Sequence, residues 1–482
     1  MSISATLSSA LSGLTAVSRM AEAVSSNVAN ALTEGYGRRD VELTARRVGP
    51  GVDVVGVTRN VNQILLSDRR LADASVAERD VRQTFHANLE TALGTGDAVG
   101  SLSNRIASLD TALLAATSRP DAQARLSAVL DAVRGLTGTL SAAATQVQSA
   151  RGAADRQIGI EVGQLNTALQ QIADLNGQIQ AQSDNGRDPS ALLDQRQKLV
   201  DSVAAIMPLR EFSRDHGQIA LFTTGGAVLL EGRPAKLGFT PTGLITADMT
   251  LTGGALFGLT LNGQPIPTGG TGGLIAGGSL AAHFAVRDDL GVAAQSQLDA
   301  VARDLVERFQ DPSLDPTLTP GGAGLFTDMG ATFLPTNENG LAQRLRLNAS
   351  VDPAQGGAVW RLRDGVGAMT PGAAGNSTVL SALQTALTDR RPPVSGSFLP
   401  GNRSIAGLAT DLLSEVATAR LTAQSDASFA AARADALRVS ELEQGVDTDR
   451  EMQMLLQIEQ AYAANARVIQ TVDTLIQTLL EI

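Results

Sequence analysis

Ile3, Leu7, Ala10, Leu14, Val17, Ala21, Val24, Val28 and Ala31 alternate spacings of four and three. That is the a/d stripe of a helix built to pair. A matching stripe lies near the other end, where Leu455, Tyr462, Ile469 and Ile476 fall seven apart and Ile458, Val472 and Leu479 follow three of them by three residues. Helices with apolar faces this narrow are marginal in water on their own. The two ends must therefore pack on each other or on neighbours, which forces a nested architecture. Asn465 interrupts the second stripe, as a polar residue that fixes register at some cost in stability. Asn30, Thr33 and Gly35 end the first helix, since Asn and Gly tolerate the left-handed cap.

Between the ends, residues 120–205 carry Leu126, Leu130, Val133, Leu165, Leu169, Ile172 and Ile179 at helical spacing, and an antiparallel helical pair fits them. Pro208 closes that region. Residues 209–281 then switch to short alternating runs and glycine turns, the pattern of a β-rich insert. Helical periodicity returns over 282–310, residues 312–400 are rich in Gly, Pro and Thr with a helix near 378–388, and the chain is helical again from about 403. The expected fold is mainly α with β-rich inserted domains, elongated and nested. Residues 1–33 and 440–482 form a terminal coiled coil; 34–208, 282–312 and 396–439 form a helical body; 209–281 form the β-rich insert; 313–395 form a mixed outer segment.

Composition narrows the function by exclusion. The 482 residues carry a net charge of -11, and such a surface repels phosphate backbones, so nucleic acid is not an expected partner. With no cysteine, disulfides and thiolate chemistry are excluded. The opening residues lack the basic start of a Sec signal, and no apolar run reaches bilayer length, so neither cleavage nor membrane insertion is expected. His86, His216 and His283 stand apart, in no metal-ligand spacing. The Gly269–Gly278 cluster fits neither phosphate-binding fingerprint. Asp288 and Asp289 read as a solvated helix face. The expectation is a non-enzyme with no cofactor.

Residues 12–38, SGLTAVSRMAEAVSSNVANALTEGYGR, resemble the amino-terminal signature of flagellar rod, hook and hook-associated axial proteins, through Asn27, Asn30, Thr33, Gly35 and Tyr36 among others. The carboxyl end, from Gly445, is similar to the terminal helix of the same family. Leu193, Asp194 and Arg196, in DPSALLDQRQKLVDSVAAI, and the segment from Gly277 resemble the hook-associated branch. The resemblance implies a structural subunit at the hook–filament junction, with hook protein, a further junction protein, copies of itself and a cytosolic export chaperone as partners. It also implies an extracellular flagellar location reached by type III export. A hook or distal rod subunit, or a surface adhesin using the β-rich insert, are the alternatives. Two further expectations follow: the ends are largely disordered before assembly, and an uncharged helix face with Ser8, Ser12 and Ser26 lines a channel.

Overall fold

The computed structural model describes residues 3–269 and 273–480. Helix α1 (Ile3–Ala29) leads into a hairpin of β1 (Arg38–Ala45) and β2 (Val52–Asn60). Helices α2 (Gln63–Leu93), α3 (Leu102–Ser118), α4 (Gln123–Asp184) and α5 (Ser190–Ile206) follow. The insert holds two small antiparallel sheets. One is β3 (Leu209–Ser213), β4 (Ile219–Thr223), β5 (Val228–Glu231) and β6 (Arg233–Pro234). The other is β7 (Leu237–Gly238), β8 (Leu259–Leu261) and β9 (Gln264–Ile266).

Helices α6 (Gly278–Ala285) and α7 (Gly291–Phe309) are joined by a single π-turn at Val286–Leu290. A mixed region then runs through β10 (Phe326–Asp328), α8 (Leu341–Arg344), β11 (Leu345–Leu347), α9 (Arg361–Asp364) and α10 (Thr378–Thr388). The chain closes with α11 (Ile405–Glu443) and α12 (Thr448–Leu480). No helix among the described residues is long and apolar enough to cross a membrane.

The 62-residue α4 is about 93 Å long at the α-helical rise, and it serves two cores in succession. Its first half, from Leu126 to Val147, packs with α3, α7, α10 and the start of α11. Its second half, from Ile158 to Ile172, packs with α5, α6 and the insert's strands. Residues 313–395 do not stand outside the body: Phe326, Phe333, Leu341, Leu362 and Leu380 all belong to the first core.

Polar groups are buried where one core gives way to the other. Arg287 and Arg151 are fully buried, and Asp155 nearly so. Asp155 Oδ1 accepts from Arg287 Nη1 at 2.8 Å, and Asp155 Oδ2 accepts from Thr242 N at 2.6 Å. Arg151 donates to the carbonyls of Arg287, Thr246 and Met249. The Arg287 guanidinium also lies over the Phe239 and Phe284 rings. Because a buried ion is tolerable only when its hydrogen bonds are complete, this cluster fixes where the irregular strip 239–258 sits on α4.

Three expectations are corrected here. Residues 38–60, placed in the helical body, form the β1–β2 hairpin instead. Its strands carry charged and β-branched residues in turn, which a search for helical stripes passes over. The insert's last residues, from Gly278, are already helical. Asp288 is no solvated helix residue: it lies in the π-turn, and its Oδ2 accepts from Arg287 Nη2 at 2.9 Å. A sequence search cannot see that its neighbour is buried.

Leu109, on α3, is fully buried in the first core. Leu109→Ala is expected to cost about 2–5 kcal/mol, read as a lowered midpoint of denaturant unfolding. Leu32→Ala, at a residue 90% exposed, should stay within about 0.5 kcal/mol of wild type.

Candidate functional site at the base of the terminal helices

The terminal helices pack on each other within the single chain, through Val17 and Val24 of α1 and Ile458 of α12, flanked by Met20, Ala21, Met454 and Ala461. Val472 is buried farther along α12. Ile3, Leu14 and Ile469 are half-buried, while Leu7, Val28, Leu455, Tyr462, Ile476 and Leu479 are exposed. The buried face of α12 thus runs through Glu451, Met454, Ile458 and Ala461, with Asn465 opposite Gly13. The sevenfold stripe Leu455, Tyr462, Ile476 is displaced one residue around the helix. A Cβ on Gly13 would come 2.9 Å from Asn465 Nδ2, so the polar seam residue is met by the absence of a side chain. The packed seam joins apolar Ile458 to small and polar members that apolar spacing does not mark.

At the base of this pair the amino-terminal signature becomes a hydrogen-bonded latch. Asn27, at 1% exposure, uses all of its capacity. Its Nδ2 donates to Arg39 O at 3.0 Å and to Glu451 Oε2 at 3.1 Å. Its Oδ1 accepts from Tyr36 Oη and from Arg39 N, both at 2.9 Å. A buried amide with two donors and two acceptors satisfied has no alternative partner to turn to.

The turn before Tyr36 is built locally. Asn30 Nδ2 donates to Ser26 O at 2.9 Å, Thr33 Oγ1 donates to Asn30 Oδ1 at 3.3 Å, and Tyr36 N donates to Thr33 O at 3.2 Å. Gly35 has φ +75, the left-handed region that glycine enters without penalty. Tyr36 Oη, its one proton given to Asn27, accepts from the Ser26 hydroxyl at 3.1 Å, and the Arg39 guanidinium lies 5.1 Å from the Tyr36 ring centroid. Burial raises the Tyr36 pKa above its ordinary value, against the lowering effects of Ser26 and Arg39.

Two carboxylates hold the latch to the rest of the molecule. Glu451, 1% exposed, accepts from Arg38 Nε at 2.7 Å as well as from Asn27. Burial disfavours the Arg38 cation, yet its bond to Glu451 and the nearby Asp40 together raise its pKa. Asp194, on α5, accepts from Gly37 N at 3.1 Å, Arg59 Nε at 2.7 Å and Arg39 Nη2 at 3.3 Å. Arg59 also bonds Gln197 and, at 3.2 Å, Gly35 O.

One part of the LLDQR segment therefore anchors the signature turn. Arg196 points elsewhere, to Asn176 Oδ1 at 2.8 Å and Gly217 O at 2.7 Å, tying α5 to α4 and the insert, while Leu193 is half-buried between these groups. Glu451 went unnoticed in the sequence because an acid in a helix's first turn reads as a partner for the helix dipole. Arg59 and Gln197 carry no local pattern at all.

In the single chain the serine face of α1 meets the hairpin and the turn before it. Ser12 Oγ accepts from Val52 N at 3.2 Å, Ser26 Oγ bonds Tyr36 and Arg39, and Ser8 Oγ accepts from Arg46 at 3.3 Å. Within the described residues the two ends are helical over 3–29 and 448–480, and pairing within the chain and the latch at its base give them partners that isolated helices lack. Among the described residues, no group of three or more metal-ligating side chains is assembled.

Comparisons with known proteins meet this geometry at two places. Residues 443–482 match the family model of the flagellar basal body rod FlgEFG protein C-terminal segment. Residues 86–312 match that of the flagellar hook-associated protein FlgK helical domain. Flagellar hook-associated protein 1 of Salmonella typhimurium is 28% identical over 289 residues, covering 57% of this chain and 51% of that protein. The Escherichia coli K12 protein of that name is 26% identical over 289 residues, covering 57% and 52%. The FlgK hook junction protein of Burkholderia pseudomallei aligns in structure with a TM-score of 0.45 at 22% identity, over 54% of this chain and 46% of that one.

The carboxyl end that pairs with α1 is therefore similar to the carboxyl segment of flagellar rod-type axial proteins. Within that class, residues 86–312 carry a helical domain of the FlgK hook-associated type. The chain spans about half the length of the curated relatives it matches.

Substitution at the latch gives a direct check. Asn27→Asp sets a second carboxylate against buried Glu451 and is expected to cost about 3–5 kcal/mol, whereas Asn27→Ala should cost about 1–3 kcal/mol. Thermal unfolding of the two variants would order them. The Asp variant's deficit should shrink on acidification, as one of the two carboxylates takes a proton.

Proposed function

We propose that this chain is a structural subunit of the bacterial flagellum that forms the junction between hook and filament, assembling through its terminal helices. The observation that carries this reading is the FlgK helical-domain match over residues 86–312. The physical means lies in α12, whose pairing with α1 leaves Leu455, Leu456, Tyr462, Leu475, Ile476 and Leu479 exposed. An apolar strip of this extent on a soluble chain favours a protein partner, and copies of the same chain supply one of matching shape.

On this reading the latch has a mechanical role. It holds the inner helix pair at a set angle to the body, so that the inner and outer layers of a tube move together. The partners are further copies of the chain, hook protein on one side and the next hook-associated protein on the other. A cytosolic chaperone masks the carboxyl helix before export through the flagellar type III apparatus to the outside of the cell. The role is structural, with no catalytic step. The exposed seam residues Leu7, Val28, Leu455, Tyr462, Ile476 and Leu479 are proposed as contacts between subunits, and Val17, Val24, Ile458 and Val472 as contacts within one.

Purified chain added to isolated basal bodies with bare hooks, and located by labelled electron microscopy, is expected at the distal hook tip as a short zone that then accepts the next junction protein and flagellin. Growth of extended tubes would instead mark a hook subunit. Absence of binding would return the adhesin reading.

A further inference from the structure

Arg59, Arg70, Arg196 and Arg214 line one cavity of about 200 Å³ between α5, the start of α2 and β3, with Glu211 the one carboxylate in its wall. Four cations around so small a space repel one another unless each is compensated. Three are. Arg59 pairs with Asp194 at 2.7 Å, Arg70 with Asp201 at 2.6 Å and Glu211 at 2.7 Å, and Arg214 with Glu231 at 2.9 Å.

Arg196 is not. It is 7% exposed, and its bonds at 2.8 and 2.7 Å go to neutral oxygens, of Asn176 and Gly217. Burial pushes its pKa down to about 10; Glu211 works against that, and Arg59 and Arg70 add to it. Arg70, 3% exposed, leaves its Nη2 buried with no hydrogen-bond partner. A buried guanidinium without a counter-charge and a buried donor without an acceptor each cost free energy. Arg196 and Arg70 both line this cavity.

We propose that this cavity binds a small oxyanion of the phosphate or sulfate class, held by Arg196 with Arg70 beside it in the wall. A tetrahedral oxyanion accepts several N–H donors at once and matches the forked guanidinium geometry. The volume lies below that of pockets for drug-sized ligands, which favours an inorganic ion over a nucleotide. The bound ion tightens the joint at which α5, α2 and the β-rich insert meet, beside the latch that Asp194 and Arg59 complete.

Calorimetric titration of inorganic phosphate into the full chain, at ionic strength held constant with chloride, is expected to show saturable one-to-one binding. Arg196→Gln should weaken it by about tenfold or more, the weight of a charge-assisted contact, and Arg346→Gln, at another surface, should leave it unchanged. Ser213→Trp keeps every arginine in place but fills the cavity beside β3, and it should also abolish binding, which covers the case in which the Arg196 variant fails to fold. No saturable binding to wild type, or binding that survives Ser213→Trp undiminished, overturns the proposal.

Discussion

The hydrogen bond from Asn27 to Glu451 joins residues 424 positions apart, and the rest of the architecture is nested inside the loop it closes. It has no water to compete with it, since both side chains are buried, and in a low-dielectric setting each member polarises the next. Through Arg38 and Arg39 the same cluster grips the hairpin, and through Asp194 it grips α5. The terminal helices therefore leave the body at an angle set by directional bonds rather than by apolar packing alone. On the proposed function that distinction matters, because inner helices would have to meet neighbours in one geometry.

Farther out, the same logic recurs at the middle of α4. A continuous helix that serves two apolar cores needs something to keep the second from sliding along the first, because apolar packing is non-directional. The buried cluster of Arg151, Asp155 and Arg287 supplies a fixed point, bonding main-chain carbonyls of the insert as well as a carboxylate. Latch, fixed point and arginine-lined cavity are three joints in one elongated chain. Each is polar, and each lies where two packing units meet.

How much of this was legible in the sequence depends on the range of the interaction. Helical periodicity is local, so the long α4 and α5, the helix near 378–388 and the helices at both ends were all readable from spacing. The signature Asn27, Asn30, Thr33, Gly35 and Tyr36 was readable as a motif, but its work was not, because two of Asn27's four partners depend on Arg39 in a hairpin that no helical stripe announces. Glu451 and Arg59 act across hundreds of residues and leave no periodic trace. On α12 the stripe expected from spacing divides: Ile458 and Val472 are buried, Leu455, Tyr462, Ile476 and Leu479 are exposed, and the small or polar Ala461 and Asn465 complete the face toward α1.

The central claim is that the terminal helices are ordered in the single chain because a latch at their base holds them. Hydrogen exchange on dilute, monomeric full-length chain tests it most directly. Strong protection of residues 17–29 and 451–461, falling off toward residues 3 and 480, is the expected pattern, since helices held at one end fray from the other. Fast exchange throughout both helices, with protection confined to the body, would contradict it.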